Sequence, residues 1–343
     1  MDNVSHALIG SAVVALAPPD VQPAVALAAL VAAEAPDFDY VIRAVGGPVQ
    51  YLKHHRGPTH GLITLPLQAL VIAGAIYAVL PGSGFWPLFW WALAGGMSHV
   101  LFDFGNDYGT QGLWPFSRRW IALDIIPIID VWVLGLIGAG WLVHWAWPGR
   151  RQAVFAVVWL LIAAYVLLRF FLRRRAWRLV ANRFDMNEAC GESVPCGPGW
   201  REQRLTIHPT LFSVNAWRYV AQKKGEYLTG MVWVWPGRLS EPVRAENMHD
   251  RIVQASLKAQ VVGVFANWVR KPRVTVERRD SLYLVRWTDV RYEEEGFSPF
   301  SAYAWLDDEL KLVDEGLGAQ RPPDLQWDAV KKRLRKEMGR TEP

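Results

Sequence analysis

The sequence predicts a mainly α, membrane-embedded helical bundle, with four spanning helices after an N-terminal helical hairpin, followed by a C-terminal α+β soluble domain. The first observation is a hydrophobic content of 52% with nineteen tryptophans in 343 residues, which is unusual for a soluble protein. The second is charge asymmetry, because residues 149–343 hold 32 of the 37 Lys and Arg. We therefore expect a membrane domain at 1–175 and a cytoplasmic α+β domain at 176–343.

The apolar segments supply the predicted spans. A bilayer core of about 30 Å needs about 20 apolar residues in a helix, and four stretches meet this length: 62–80, 85–105, 125–147 and 152–172. Two shorter runs, 6–17 and 21–35, are separated by "APPD". Because the prolines interrupt a helix, these runs predict the hairpin.

Basic residues predict the orientation. With four crossings, the loops 36–61 and 106–124 and the chain after residue 172 share one side, which carries most of the short-loop Lys and Arg. The run Arg173 to Arg178 is on this side. By the positive-inside rule this side is cytoplasmic, so we expect a multi-pass membrane protein with a cytoplasmic C-terminal domain.

The C-terminal half alternates polar and apolar residues. The segments 227–235, 273–277 and 281–292 have the period of half-buried strands, and 245–268 has helical spacing. The lone histidines His208 and His249 are interpreted as structural, and Cys190 and Cys196 predict neither a disulfide nor a zinc site. No nucleic-acid recognition motif is present, so the domain is expected to have at most a cytoplasmic protein partner.

Histidines and aspartates of the first half collect at one predicted membrane face. Residues four apart share a helix face, so His99 and Asp103 can bind one ion such as zinc, manganese or iron. Singly, such residues have ordinary explanations: a hydrogen-bonded His–Asp pair, helix capping by Asp37 and Asp39, or a surface histidine at His6. Their conjunction, three His and three Asp brought to one face by four segments, predicts a site for one or two divalent ions.

The segment "HHRGPTHG" (His54 to Gly61) adds candidate catalytic groups. Arg56 could hold a phosphate or carboxylate in a bidentate manner, and His55 could transfer a proton near neutral pH, with Asp39 as a base. The alternative for Arg56 and Lys53 is anchoring at lipid headgroups. The loop 106–119 is expected to form a wall or lid of the pocket.

The ordered motifs "SHALIG", "APDFD", "HHRGPTHG", "SHVLFDFGNDYGTQGLWPFS" and "IID" resemble those of bacterial inner-membrane metal-dependent hydrolases of the YdjM/YbcI type, over residues 1–170. The C-terminal part is similar only through "HPTLFSVNAWRYV". The family, also labelled LexA-binding, is thought to be related to zinc-dependent phospholipases C. The resemblance implies a metal site with zinc as the first candidate. Its implied ligands are His6, Asp37, Asp39, His60, His99 and Asp103, accompanied by His55, Arg56 and Asp130.

These observations predict a membrane-bound, metal-dependent hydrolase of the bacterial inner membrane. Metal-activated water would attack a phosphoester or ester of a lipid-like substrate at the cytoplasmic membrane face, with membrane lipids as partners. The alternative is a membrane-anchored binding or regulatory protein with a structural metal. Substitution of Asp39 or His55 would separate the two, because only an enzyme would lose turnover.

Overall fold

The computed structural model describes residues 1–18, 20, 22–186, 204–223, 225–246, 248, 250–293, 298–318 and 338. The chain divides into two compact units. The first comprises Met1–Val41 and His54–Phe171, and the second comprises Ile42–Lys53 and Leu172–Pro343. Cys190, Cys196 and His249 lie outside the described residues, so the expectations for them stay predictions.

The first unit is helical. Its helices are α1 (Asn3–Val14), α2 (Pro23–Glu34), α4 (Thr64–Val79), α5 (Phe85–Gly105), α6 (Val131–Ala146) and the first part of α7 (Arg151–Phe184), while α3 (Tyr40–His54) begins in this unit and continues in the second. Local chemistry sets several ends. The Asp2 carboxylate accepts from Ser5 N at the start of α1, and Pro23 occupies the first turn of α2.

Close packing of α2 against α5 positions the site. The buried face of α2 consists of alanines and Val25, and Gly95 of α5 lies opposite Ala29 of α2. A Cβ atom on Gly95 would be only 2.1 Å from the Ala29 carbonyl oxygen. Small residues therefore let the two backbones approach each other, which brings the end of α2 next to the polar end of α5.

The prediction of four spanning helices is wrong. Among the described residues one helix, Pro148–Phe184, is long and apolar enough to cross a membrane, with a mean hydropathy of 2.4 in its apolar stretch. Helices α4 and α6 have 16 residues each, which corresponds to about 24 Å of helix against a core of about 30 Å. The predicted span 125–147 is shortened because the Asp130 carboxylate caps α6, so that the helix begins only at Val131.

The predicted span 85–105 coincides with α5, but α5 is not apolar enough to count as a membrane-spanning helix. Its 21 residues include Ser98, His99 and Asp103, which are buried inside the unit. These polar groups and the glycines lower its hydropathy, because the helix carries part of the site.

The second unit contains two antiparallel sheets. The first has β1 (Leu205–Pro209), β2 (Ala216–Lys223), β3 (Glu226–Trp233), β4 (Arg238–Leu239) and β5 (Val243–Glu246), in the order β1-β2-β3-β4 with β5 also paired to β3. Its core includes Trp217 and Tyr219, packed with Ala176 and Val180 of α7.

The second sheet has the order β6-β7-β8-β9, with β6 (Pro272–Arg279), β7 (Leu282–Asp289), β8 (Ser301–Leu306) and β9 (Leu312–Leu317), accompanied by α8 (Arg251–Ser256) and α9 (Gln260–Trp268). The strand and helix content expected for this half is present. The region 245–268, which has helical spacing, forms the two short helices α8 and α9 instead of one helix. Asp250 caps α8 by accepting from Val253 N at 2.9 Å.

Candidate metal centre

Four segments of the first unit bring their polar side chains to one buried cluster. His6 comes from α1, Asp37 and Asp39 from the 3-10 turn Ala35–Asp39, His60 from the 3-10 turn Pro58–His60, and His99 and Asp103 from α5. All six side chains belong to residues that are at most 6% exposed. Burial of so many ionisable groups is costly unless charges are compensated.

The centre of the cluster is a group of four ligand atoms, which we call the tetrad: His60 Nε2, His99 Nε2, Asp37 Oδ1 and Asp103 Oδ2. His60 Nε2 lies 3.2 Å from His99 Nε2, 3.4 Å from Asp37 Oδ1 and 3.3 Å from Asp103 Oδ2. His99 Nε2 lies 3.7 Å from Asp37 Oδ1 and 3.5 Å from Asp103 Oδ2. Both Nε2 atoms therefore lie within 3.7 Å of Asp37 Oδ1 and of Asp103 Oδ2.

Neighbouring groups define which ring nitrogens face this point. His99 Nδ1 lies 2.6 Å from the Ala33 carbonyl oxygen, which can only accept, so the proton is on Nδ1. Thr59 Oγ1 donates to Asp39 Oδ2 at 3.2 Å and lies 3.0 Å from His60 Nδ1. Because a hydroxyl has one proton, the oxygen accepts from His60 Nδ1. Both Nε2 atoms then turn lone pairs toward the tetrad when the rings are neutral.

The tetrad contains residues that could hold a divalent ion, because Asp37, His60 and His99 form one group of potential ligands. Ligand atoms of tetrahedral zinc with bonds of about 2.0–2.1 Å lie about 3.3–3.4 Å apart, and five of the six separations within the tetrad are between 3.2 and 3.7 Å. Within the described part of the chain, Asp37 Oδ1 and Asp103 Oδ2 have no hydrogen-bond partner. The nitrogen–oxygen ligand set is also one that zinc accepts.

Burial and neighbouring charges shift the pKa values of the cluster residues. Burial alone would raise the pKa of Asp103, but Arg56 and the other cationic neighbours hold this pKa well below the usual value. Burial opposes a charge on His60, yet the carboxylates of Asp103 and Asp37 outweigh it and raise the His60 pKa. Burial lowers the pKa values of His99 and of His6, the latter to about 3. Without metal, a proton on His60 is therefore the nearest substitute for the cation.

Two further groups of potential ligands adjoin the tetrad. His6, His99 and Asp103 form one, and Asp37, Asp39 and His55 form the other. The His6 ring stacks on the His99 ring with centroids 3.5 Å apart, and His6 Nε2 is 3.4 Å from Asp103 Oδ1. A second ion could use either group, with Asp37 or Asp103 as a bridging ligand.

The pair of His55 and Asp39 forms the edge of the cluster. His55 Nδ1 lies 3.0 Å from Asp39 Oδ1, and Asp39 Oδ2 also accepts from Arg56 N at 3.1 Å. The His55 side chain is 12% exposed, whereas those of His6, His60 and His99 are fully buried. Burial lowers the pKa of His55 despite the carboxylate beside it, so the ring is neutral at neutral pH.

Arg56 lies inside the unit. Its Nη1 is 3.3 Å from Asp103 Oδ1, its Nη2 donates to the Met1 carbonyl at 3.1 Å, and its guanidinium lies over the Tyr108 ring. The Met1 amino group also contacts Asp103. The guanidinium therefore balances the Asp103 charge, and a clamp on substrate would require it to exchange these partners.

Asn106 is a site residue that the sequence analysis did not assign individually. It is fully buried, donates to Asp103 Oδ1 at 3.0 Å and accepts from the backbone N–H groups of Tyr108 and Gly109. It thus joins Asp103 to the loop that follows α5. The usable signal was an asparagine three residues after the carboxylate, at the expected helix end.

Other members of the predicted group have different surroundings. Asp130 Oδ1 accepts from Trp132 N and Val133 N, and Oδ2 accepts from Tyr165 Oη at 2.9 Å, so its carboxylate caps α6. Lys53 and His54 are exposed, whereas His60, six residues further along, is fully buried. The two adjacent histidines thus have different environments, because His54 is exposed to solvent and His55 belongs to the cluster.

The helical unit combines a buried His/Asp cluster that could hold a metal ion with, among the described residues, one helix long and apolar enough to cross a membrane. The chain belongs to the YdjM inner membrane protein family, whose model matches residues 1–176, and the resemblance seen in the motifs is confirmed. Residues 251–326 match the YfhP C-terminal alpha/beta plait domain. The uncharacterized protein YfhP of Bacillus subtilis (strain 168) is 24% identical, with 98% of each chain covered. No solved structure matches the chain.

Proposed function

We propose that this protein is a metal-dependent hydrolase of the inner membrane that cleaves a phosphoester or ester of a lipid-like substrate at the cytoplasmic face. The observation that carries the proposal is the buried cluster in which His60 Nε2 and His99 Nε2 lie within 3.7 Å of carboxylate oxygens of both Asp37 and Asp103. A bound divalent ion, with zinc as the first candidate, would supply Lewis acidity and lower the pKa of a coordinated water. His6, Asp39 and His55 offer ligands for a second ion.

The residues around the tetrad support a proton-transfer role for His55. Asp39 fixes the Nδ1–H tautomer through its contact of 3.0 Å, which leaves Nε2 as the basic nitrogen. The lowered pKa keeps the ring neutral, so Nε2 can accept a proton from water and return it to a leaving group. His55 is also the most exposed histidine of the cluster, as a group that meets substrate must be.

The orientation is part of the proposal. The basic run Arg173 to Arg178 follows the apolar part of α7, and basic residues favour the cytoplasmic end of a span. We therefore assign the region after residue 172 to the cytoplasm, where it could also contact a protein partner.

Metal analysis of detergent-purified protein tests the centre. We expect one or two zinc ions per chain in the wild type and loss of metal in the variant H99A/D103A. His144→Ala is the matched control, because His144 lies in α6 outside the cluster. Full metal occupancy in H99A/D103A would refute the assignment.

Turnover of a phospholipid extract tests the chemistry. His55→Gln and Asp39→Asn should lose activity by about 10²–10⁴-fold, as expected for loss of a general base or its orienting group. His54→Gln, which changes the exposed neighbour, should keep it. Equal activity of His55→Gln and wild type would exclude the proposed proton-transfer role.

A second candidate function is a binding or regulatory protein with a structural metal. It is favoured by the tetrad itself, because four protein ligands are typical of closed structural zinc sites, whereas catalytic sites keep an open position. For such a protein the His55 and Asp39 variants would keep metal, fold and partner binding, and the lipid extract would not be hydrolysed by the wild type.

A further inference from the structure

The loop of residues 113–119, which we call the aromatic–basic loop, has an unusual surface. Its sequence is Leu-Trp-Pro-Phe-Ser-Arg-Arg. Phe116 is 84% exposed and Leu113 is also exposed, and Arg118 and Arg119 follow directly on the surface. No Asp or Glu occurs between residues 108 and 123. Large apolar side chains next to arginines are typical of segments that lie at a bilayer surface.

The loop is attached to the segment that carries His60. Gln111 N donates to the Arg56 carbonyl and Leu62 N donates to the Gly112 carbonyl, both at 2.9 Å. A Cβ atom on Gly61 would lie 2.8 Å from the Trp114 carbonyl oxygen, so the two backbones are in contact. The exposed surface of the loop therefore adjoins the metal centre.

An apolar surface continues from this region along α4. Ile63, Leu67, Leu70 and Val71 are all exposed. Their spacing of three or four residues places them on one face of the helix. The face begins two residues after the contact of Gly61 with the loop, so apolar side chains extend without a polar interruption on this face.

Hydrogen bonds within the first unit relate the centre to the candidate span. Ile125 N donates to the Gly105 carbonyl at 2.8 Å, two residues after Asp103, and Arg169 Nε donates to the Ile125 carbonyl at 3.0 Å. Arg169 precedes the basic run that starts at Arg173 by four residues, about one turn of α7. Basic residues gather where a span meets lipid headgroups. The metal centre therefore lies near the level of that boundary.

We propose that the aromatic–basic loop is a membrane-docking surface for an anionic bilayer. Phe116 and Leu113 insert at the boundary between headgroups and acyl chains, and Arg118 and Arg119 contact lipid phosphates. Charge complementarity decides the occupant, because a loop with two arginines and no acidic residue suits an anionic surface. The proposal goes beyond hydrolysis and does not require it, since docking depends on surface chemistry alone.

The test measures the depth of residue 116 in a membrane. The full chain, with Cys190 and Cys196 replaced by serine, receives a nitroxide at Phe116→Cys and is reconstituted in nanodiscs of phosphatidylcholine alone or with equimolar phosphatidylglycerol. Collision of the label with oxygen and with an aqueous nickel complex gives its depth. Asp280→Cys, in the exposed turn between β6 and β7, is the aqueous control, and Leu113→Cys replaces Phe116→Cys if that variant fails to fold.

We expect the label at 116 to lie about 5–10 Å below the phosphates in the anionic nanodiscs, and the control label to lie in water. The variant R118Q/R119Q in the Phe116→Cys background should lose the dependence of depth on phosphatidylglycerol. Nickel accessibility at 116 equal to that of the control would overturn the proposal. Spin–spin broadening that increases with protein-to-lipid ratio would also overturn it, because a second copy would then cover the loop.

Discussion

Replacing Thr59 by valine should weaken zinc binding, although Thr59 does not contact the metal point. Its hydroxyl donates to Asp39 Oδ2 and accepts from His60 Nδ1, which turns His60 Nε2 toward the tetrad. Valine has nearly the same shape but removes both hydrogen bonds. His60 then loses the group that fixes its tautomer and its ring orientation.

The expected magnitude follows from the contacts. A buried polar group that loses its partner costs about 1–3 kcal/mol, and His60 is fully buried. Since 1.4 kcal/mol corresponds to a tenfold change, the zinc dissociation constant should rise by about 5- to 150-fold. Mutation of a group that hydrogen-bonds to a metal ligand typically changes metal affinity by about 10- to 100-fold, which agrees with this range.

Competition with a chromogenic zinc chelator measures the dissociation constant in detergent. Thr59→Ser is the matched control, because serine retains the hydroxyl and should remain close to wild type. Two results would refute the reasoning: wild-type zinc affinity in Thr59→Val, or an equal loss of affinity in Thr59→Ser.

Three further predictions concern packing, capping and pH. Gly95→Ala should destabilise the protein by about 1–3 kcal/mol through overpacking, because its Cβ would lie 2.1 Å from the Ala29 carbonyl oxygen. Gly135→Ala is the control and should be neutral or stabilising, since a Cβ there meets open space. Equal melting temperatures of the two variants would contradict this. Asp130→Ala should cost about 0.5–2 kcal/mol by removing the cap of α6 while leaving the zinc content unchanged, and loss of zinc would assign Asp130 to the centre. In chelator-treated protein, burial and then the nearby Asp37 and Asp2 raise the Glu34 pKa from 4.5 to about 7. The folded state therefore favours the protonated acid, and stability should fall as pH rises from about 4.5 to 7. Glu34→Gln should exceed wild type in melting temperature above pH 7 and match it at pH 4, and a constant difference across this range would contradict the assignment.

The apolar helices of the first unit show what local composition can and cannot predict. Hydropathy located the apolar segments, and 85–105 coincides with α5. It did not predict that residues 125–130 stay outside α6, because the Asp130 cap depends on Tyr165 of a distant helix as well as on the adjacent N–H groups. Hydropathy also predicted α5 as a spanning helix, although its residues Ser98, His99 and Asp103 are buried inside the unit.

The features of the candidate site also divide into those that the sequence predicts and those that depend on the tertiary structure. The sequence by itself determined the candidate residue types and the spacing of His99 and Asp103 on one helix face. It placed them with His60 and Asp37 only through a topology of four spanning helices, which is wrong. Only the tertiary structure decided which nitrogen and oxygen atoms of these residues lie within 3.7 Å of one another, that Arg56 faces Asp103 from inside the unit, and that Asn106 and Thr59 form hydrogen bonds with candidate ligands. These relations join residues that are far apart in the chain, and they depend on the close approach of α2 and α5 at Gly95, a distance that no local pattern contains.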